Sequence, residues 1–404
     1  MALMPVDEAL AQLLAAAEVC RARRPLAVES VALLSGLGRI LASDVIAPIN
    51  VPPERNSAMD GYAFCFDDLS HQQVLPVSQR IPAGRAPEPL QAGTAARIFT
   101  GGVLPEGADT VAMQENCHEE SGCVQLLSQP LAGANIRAAG EDIVRGSIVL
   151  TKGTRLGPAH LGLLASIGLA QVCVFECLRV ALLCTGDELV APGGILASGQ
   201  LFNSNETLLA SLLQQQGCSV VTLGPVNDTL SDTQQALRLA VQQGVHLLVS
   251  TGGVSVGEED HVRAAVQAEG QLDLWKVAIK PGKPLAFGYV HGVPFIGLPG
   301  NPQSVWVTSH VLALPFIRRL QQDASQPLRV TLPANFERLT PQSRREYLRV
   351  KVLPAASGEM VLEAYPHQGS GVLSSAAWAD GLAVIEAGAT VQRGQAVLLL
   401  VTAS

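Results

Sequence analysis

Between residues 179 and 328, short apolar runs alternate with stretches of helical period, and glycine-rich turns lie where run meets helix. This alternation constrains the fold more than any other feature, because buried strands joined through helices build a doubly wound α/β sheet. Residues 179–184, 220–223, 246–250 and 293–296 read as strands. Residues 205–216 and 232–243 read as helices, with Asn205 and Ser231 as N-caps and Gly217 and Gly244 at left-handed positions past their ends. Two glycine turns follow strands: residues 251–260, with Gly252, Gly253 and Ser255, and residues 297–302, with Pro299, Gly300, Asn301 and Pro302. Ligands of such sheets bind outside the carboxyl ends of the strands. Backbone N–H groups there, unshielded by a Cβ, form an anion site.

Between those turns, residues 275–280 read as one further strand, whose side chains alternate between faces. Lys276 and Lys280 then share a face roughly 13 Å apart, at about 3.3 Å per residue, suited to both ends of an extended, multiply anionic ligand. Pro281 and Gly282 end the strand and turn Lys283, with Pro284 behind it, toward the same rim. Lysines also guard exposed strand edges; the neighbouring glycine turns favour the anion reading.

Carboxylates gather on the same rim. Glu188 follows Thr185-Gly186-Asp187 at a strand end, Asp228 follows the strand at 220–223, and Asp260 closes a glycine turn at a helix start. Asp187 reads as a cap of the next turn and Glu188 as functional. Asp228 and Asp260 are explained as well by helix capping as by function. Taken together beside cations, the three acids suit Mg²⁺ bridging a phosphate, and no His/Cys cluster offers a softer metal a home. No Ser-His or Cys-His pair suggests a covalent intermediate.

Lys+Arg 27 against Asp+Glu 35 leaves a net charge of −8, which opposes a general nucleic-acid binder. The eight cysteines are scattered without a C-x-x-C pair, predicting reduced, mostly buried thiols and a cytoplasmic location. Asp7 and Glu8 at the N-terminus are unlike a signal peptide, and no apolar run is long enough to span a membrane.

The flanking texture differs. Leu3, Leu10, Leu13, Leu14 and Ala17 recur at helical spacing, and a second helix is predicted near 30–42. Proline-rich, short alternating runs predict a β-rich insert. The expected fold is a multidomain α/β chain: a mixed α+β N-terminal domain (1–45 plus 140–178), an inserted β-rich domain (46–139), the central α/β domain (179–328) and a small C-terminal β-barrel-like domain (329–404).

Ordered motifs run along nearly the whole chain: Asn-Ser-Ala-Met-Asp-Gly-Tyr-Ala at 56–63, Ile-Phe-Thr-Gly-Gly at 98–102, Pro-Glu-Gly-Ala-Asp-Thr-Val at 105–111 and Gly-Glu-Asp-Ile at 140–143. Cys-Thr-Gly-Asp-Glu-Leu at 184–189, Asn-Ser-Asn at 203–205, the three glycine-rich segments and Arg-Glu-Tyr-Leu-Arg at 345–349 continue the series. With these motifs the chain resembles the molybdopterin molybdenumtransferases (molybdenum insertases), the family that includes the E domain of gephyrin. The resemblance implies an elongated homodimer of four-domain subunits with active sites built between them. It implies molybdate and adenylylated molybdopterin as substrates, Mg²⁺-dependent release of AMP, and exchange with the molybdopterin adenylyltransferase and downstream maturation enzymes. It raises Asp60 and Asp142, otherwise ordinary Asp-Gly or loop acids, to functional status with Thr100 and Arg137. It assigns an oxyanion site to Lys280, Lys283, Pro284, Ser370 and an arginine, Arg349 or Arg345. Lys276 and the glycine turns would hold phosphates. Two departures from the family pattern are Trp378-Ala-Asp-Gly381 and Trp306. The rival readings are an adenylyltransferase and a non-catalytic scaffold; molybdate and tungstate, near-equal in charge and size, are left unseparated.

Overall fold

A computed structural model describes residues 3–71, 73–224, 226–252 and 261–402. Helix α1 (Val6–Arg23) buries Val6, Ala9, Leu13, Ala17 and Cys20; Leu13 and Ala17 belong to the predicted face, whereas Leu10 and Leu14 are only half-buried. The helix expected near 30–42 is absent. Strand β1 (Val28–Ala32) occupies its start, followed by one 3-10 turn over Leu33–Gly36. Gly36 and Gly38 disfavour a helix there, and antiparallel pairing satisfies the backbone instead. The β-rich segment forms a six-stranded sheet from β2 (Gly61–Phe64), β3 (Val74–Ile81), β4 (Ala95–Ile98), β5 (Thr110–Met113), β6 (Cys117–Glu120) and β7 (Cys123–Leu126), in the order β5-β2-β4-β3-β7-β6. Past it come helix α2 (Pro158–Ser166) and β8 (Gln171–Phe175), which pairs antiparallel with β1.

The central sheet contains β9 (Arg179–Cys184), β10 (Ser219–Thr222), β11 (Leu247–Thr251), β12 (Gly270–Lys276), β14 (Pro284–Val290) and β15 (Val293–Leu298). Short strand β13 (Ile279–Lys280) lies between β12 and β14 in sequence but joins another sheet. The order is β10-β9-β11-β15-β14-β12; the first four strands are parallel and the last two join antiparallel. Residues alternate along each strand between two apolar layers. Leu182 and Val249 face α3 (Ser204–Gln215), α6 (Pro302–Thr308) and α7 (Leu314–Leu320). Leu183 and Leu248 face α4 (Leu230–Gln242) and α5 (His261–Glu269). Each such leucine is about 2 % exposed or less and contributes roughly 2 kcal/mol by burial. Gly217 and Gly244 hold φ of 73° past α3 and α4, as expected, but the caps are Asn203 and Thr229 rather than Asn205 and Ser231.

The C-terminal sheet contains β13, β16 (Arg329–Pro333), β17 (Arg345–Pro354), β18 (Met360–Ala364), β19 (Gly381–Ile385) and β20 (Ala396–Val401), in the order β13-β17-β19-β20-β16 with β18 beside β17. Ala334 bridges Leu362, so the strands curl back on themselves around Leu348, Leu362 and Leu399. Short helix α8 (Ser374–Trp378) lies between β18 and β19. No described helix is long and apolar enough to cross a membrane. All eight cysteines are free, but only Cys20, Cys184 and Cys218 are buried, so the expectation of mostly buried thiols fails.

Candidate functional site

The single strand expected over 275–280 is in fact two. β12 ends at Lys276, whose carbonyl takes the Met4 N–H, and Val277 bridges Met4. The chain then crosses into the C-terminal sheet, where Ile279 and Lys280 run parallel to Arg345 and Glu346 of β17. Lys276 and Lys280 therefore belong to different sheets and do not form the pair that strand periodicity implied.

That crossing builds a cavity of about 740 Å³ between the central and C-terminal sheets. Glu188 and the first turn of α3, Ser204 and Asn205, form one wall. Lys280, Lys283, Pro284 and the Pro299–Pro302 turn form a second. Arg344, Gln368, Gly369 and Ser370 close it from the C-terminal sheet. The Pro299–Gly300 turn is pinned from below. Asn205 Nδ2 donates to Thr251 Oγ1 at 3.0 Å and to the Gly300 carbonyl at 2.6 Å, and Thr251 Oγ1 donates to the Pro299 carbonyl at 3.1 Å. A carbonyl only accepts, so the Gly300 contact fixes which way the Asn205 amide faces. Gly252, with φ of 82° and its N–H on the Leu298 carbonyl, packs beside Gly300. Gly253, Ser255 and Asp260 lie outside the described residues.

The three arginines of the 344–349 segment take separate roles. Arg344 lines the cavity and anchors itself through Nη1 to the Ile279 carbonyl at 3.0 Å. Arg345 turns away, paired through two nitrogens with Asp7 at 2.7 and 2.8 Å and with Glu386 at 2.8 Å. Arg349 is 1 % exposed and stands behind the cavity wall, bonded to Ser375 Oγ and the Tyr347 and Gly369 carbonyls. Burial lowers its guanidinium to about 10, partly opposed by Glu346. The sequence offers Arg345 or Arg349 for the oxyanion site; of the three arginines it is Arg344 that lines the cavity. No local signal marks it, because its place depends on the β13–β17 pairing between segments 65 residues apart.

Asp228 sits beside this site, its N–H on Asp187 Oδ1 at 3.4 Å, without lining the cavity. Glu188 has no cationic partner among the described residues. Cys184 ends β9 nearby, its thiol pushed up to about 12 by burial and so protonated.

Four predicted residues lie elsewhere, in and around the β-rich sheet. Asp60 Oδ1 accepts from the Thr100 N–H at 2.7 Å and the Thr100 hydroxyl at 2.8 Å, and these two bonds hold its carboxyl below the usual range. Arg137 lies on a two-residue strand paired with Asn56 and Ser57, and the Asp142 N–H donates to the Val51 carbonyl. None of these four reaches the cavity of the same chain.

The chain matches three family models in order: "MoeA N-terminal region (domain I and II)" over residues 4–168, "Probable molybdopterin binding domain" over 181–319, and "MoeA C-terminal region (domain IV)" over 331–401. It is 43 % identical over 299 residues to a molybdopterin molybdenumtransferase of Haemophilus influenzae, covering 74 % of each chain. It is 36 % identical to one from Synechococcus elongatus, covering 91 % of this chain and 92 % of the relative. A crystal structure of a molybdopterin biosynthesis MoeA protein from Pyrococcus horikoshii superposes with a TM-score of 0.80 at 25 % identity, covering 99 % of this chain and 100 % of that one.

Proposed function

The chain belongs to the molybdopterin molybdenumtransferase family, and from that premise we propose that it works in molybdenum cofactor biosynthesis, placing molybdate on the dithiolene of adenylylated molybdopterin with release of AMP. The observation that carries this reading is the cavity itself. Three cationic side chains, Lys280, Lys283 and Arg344, converge on a space that also receives the start of α3 and the pinned Pro299–Pro302 turn. A phosphate needs N–H donors at a helix start or turn; a tetrahedral oxyanion needs cations that donate in fixed directions. Both are within one wall-to-wall space large enough for a nucleotide-sized ligand.

In this reading the Pro299–Pro302 turn and Ser204 hold phosphate oxygens, while Lys280, Lys283, Arg344 and Ser370 hold the oxyanion. Preorganised donors of this kind stabilise charge that develops in the transition state without reorganising. Mg²⁺ suits the remaining carboxylate: Glu188 is exposed on the wall and unpaired among the described residues, and Mg²⁺ is commonly bound by one or two carboxylates plus substrate phosphates. No group of three metal-ligating side chains occurs among the described residues, so the phosphates would complete the shell, with Asp228 nearby. When bound, Mg²⁺ would neutralise the phosphate charge that otherwise repels an attacking oxygen.

Asp60, Thr100, Arg137 and Asp142 do not line this cavity in their own chain. The proposed arrangement is therefore a homodimer in which the β-rich sheet of one subunit completes the cavity of the other. Two inactive variants, Asp142→Asn and Lys280→Ala, tested by mixing after partial unfolding and refolding, are expected to recover about a quarter of wild-type turnover, the share from statistical reassortment of a two-fold dimer. No recovery would mean that each site is complete within one chain. The function itself is tested with purified protein, adenylylated molybdopterin and Mg²⁺, with and without molybdate. Molybdate-dependent AMP release with molybdenum kept on the pterin supports it. Binding without turnover indicates a scaffold, and ATP-dependent adenylylation of free molybdopterin indicates the preceding step.

A further inference from the structure

Lys280 is not a free cation. Its Nζ lies 2.8 Å from Glu346 Oε1 and 2.9 Å from Gln342 Oε1. Glu346 is in turn gripped by Arg338, Nη2 to Oε1 at 2.9 Å and Nε to Oε2 at 3.1 Å. The Glu346 side chain is 3 % exposed, whereas those of Lys280 and Arg338 are each 34 % exposed. The contact follows from strand register: Lys280 of β13 is the parallel partner of Glu346 of β17, and paired residues on neighbouring strands project to the same face.

An ammonium has three donors and four rotatable bonds behind it. Glu346 and Gln342 take two donors, which leaves one for the cavity that Lys280 lines. The rotamer freedom that a lone lysine would lose on meeting an anion is already lost in the folded chain. Arg338 is what makes this possible, because its planar fork orients the carboxylate that orients the lysine. The burial of Glu346 works against its charge, yet the hydrogen bonds from Arg338 and Lys280 outweigh burial and keep it ionised.

We propose that Glu346 is a positioning residue for the oxyanion step: it aims one Lys280 N–H into the cavity and lowers the net charge there, favouring productive geometry over tight anion binding. This rests on the reading of the cavity as an oxyanion site. Removing the carboxylate has two opposed effects on a bound dianion. It deletes a nearby negative charge, which strengthens attraction, and it frees the ammonium, which loosens aim. Charge acts strongly across short distances beside a buried carboxylate such as Glu346, so binding improves while turnover suffers.

The test uses the intact protein and four readouts: affinity, turnover, lysine reactivity and melting temperature. Glu346→Gln is expected to bind molybdate alone three- to tenfold more tightly by titration calorimetry, while molybdate-dependent turnover with adenylylated molybdopterin falls at least tenfold. Glu346→Asp, which keeps the charge but shortens the reach, should return affinity to the wild-type value and leave turnover low. Reductive methylation followed by peptide mass spectrometry reads Lys280 without any substrate. Lys280 should react more slowly than Lys283 in the wild type and about tenfold faster in Glu346→Gln, with Lys283 unchanged. Unaltered turnover in Glu346→Gln, a parallel fall of affinity and turnover with melting temperature, or equal Lys280 reactivity in both proteins would each overturn the proposal. If the wild type neither binds nor uses molybdate while Lys280 reactivity still responds to Glu346, the function reading fails and the positioning of Lys280 survives.

Discussion

Gly282 sits between the two cavity lysines at φ of 107°, a conformation that side-chain-bearing residues rarely adopt. A Cβ placed there would lie 2.5 Å from Thr308 Cγ2 and 3.4 Å from the Ser304 carbonyl, both on α6. Gly282→Ala therefore carries two penalties. The backbone strain costs about 1–3 kcal/mol, and overlap with a buried methyl costs about 1–3 kcal/mol. Together they predict a loss of roughly 2–6 kcal/mol, or a fall of roughly 4–24 °C in Tm at about 2–4 °C per kcal/mol, with impaired turnover because Lys283 must shift. Adding Thr308→Ser removes only the methyl, since the hydroxyl that donates to the Ser304 carbonyl at 2.6 Å is retained. The double variant should regain the overlap part and keep the strain part, giving a coupling of about 1–3 kcal/mol in a double-mutant cycle by thermal or urea unfolding. A Gly282→Ala protein melting within a degree of wild type, or no recovery on adding Thr308→Ser, would refute the reasoning.

Arg344→Met should weaken molybdate binding about 10–100-fold, the loss of a charge-assisted contact, with little change in Tm. Arg345→Met, which severs exposed pairs to Asp7 and Glu386, should leave affinity unchanged and cost about 1 kcal/mol; titration calorimetry beside thermal melts distinguishes the two. Thr100→Val deletes one of the two bonds that hold the Asp60 carboxyl low, so the acid limb of the pH–rate profile should move upward, and an unmoved limb would mean Asp60 does not titrate in turnover. His310, packed on Trp306 with burial driving its imidazole down to about 4, is neutral in the fold where the unfolded chain binds a proton. Stability should therefore rise with pH between about 4 and 6.5, by up to about 3 kcal/mol. His310→Gln should lose that share of the pH dependence in urea unfolding series.

The alternation of apolar runs and helical segments was legible because burial on both faces of a parallel sheet demands it, and the strands at Arg179–Cys184 and near Leu247 and Val293 lie where those runs do. The glycine turn at Pro299–Pro302 was legible as well, since Gly300 leaves the backbone without a Cβ just before Pro302 opens α6. The cap positions were less so: Asn203 and Thr229 compete with neighbouring Asn205 and Ser231, and only the path of the chain decides which side chain meets the helix. The helix expected near 30–42 failed for a local and a non-local reason: Gly36 and Gly38 disfavour it, and β1 is fixed by pairing with β8, some 140 residues away.

The cavity belongs more to tertiary structure than to sequence. Local pattern determined that Lys280 and Lys283 would lie near a rim of glycine turns and that Glu188 would follow a strand end. It could not say that the chain leaves one sheet after Lys276 and enters another at Ile279, so it placed Lys276 with Lys280. Nor could it choose between Arg345 and Arg349 or point to Arg344, since a strand's two faces and its starting residue are equivalent until a partner strand fixes register. Side-chain type and local period are properties of neighbouring residues, and they set which groups are available; which groups meet depends on pairings between distant segments, whose energies exist only in the folded chain.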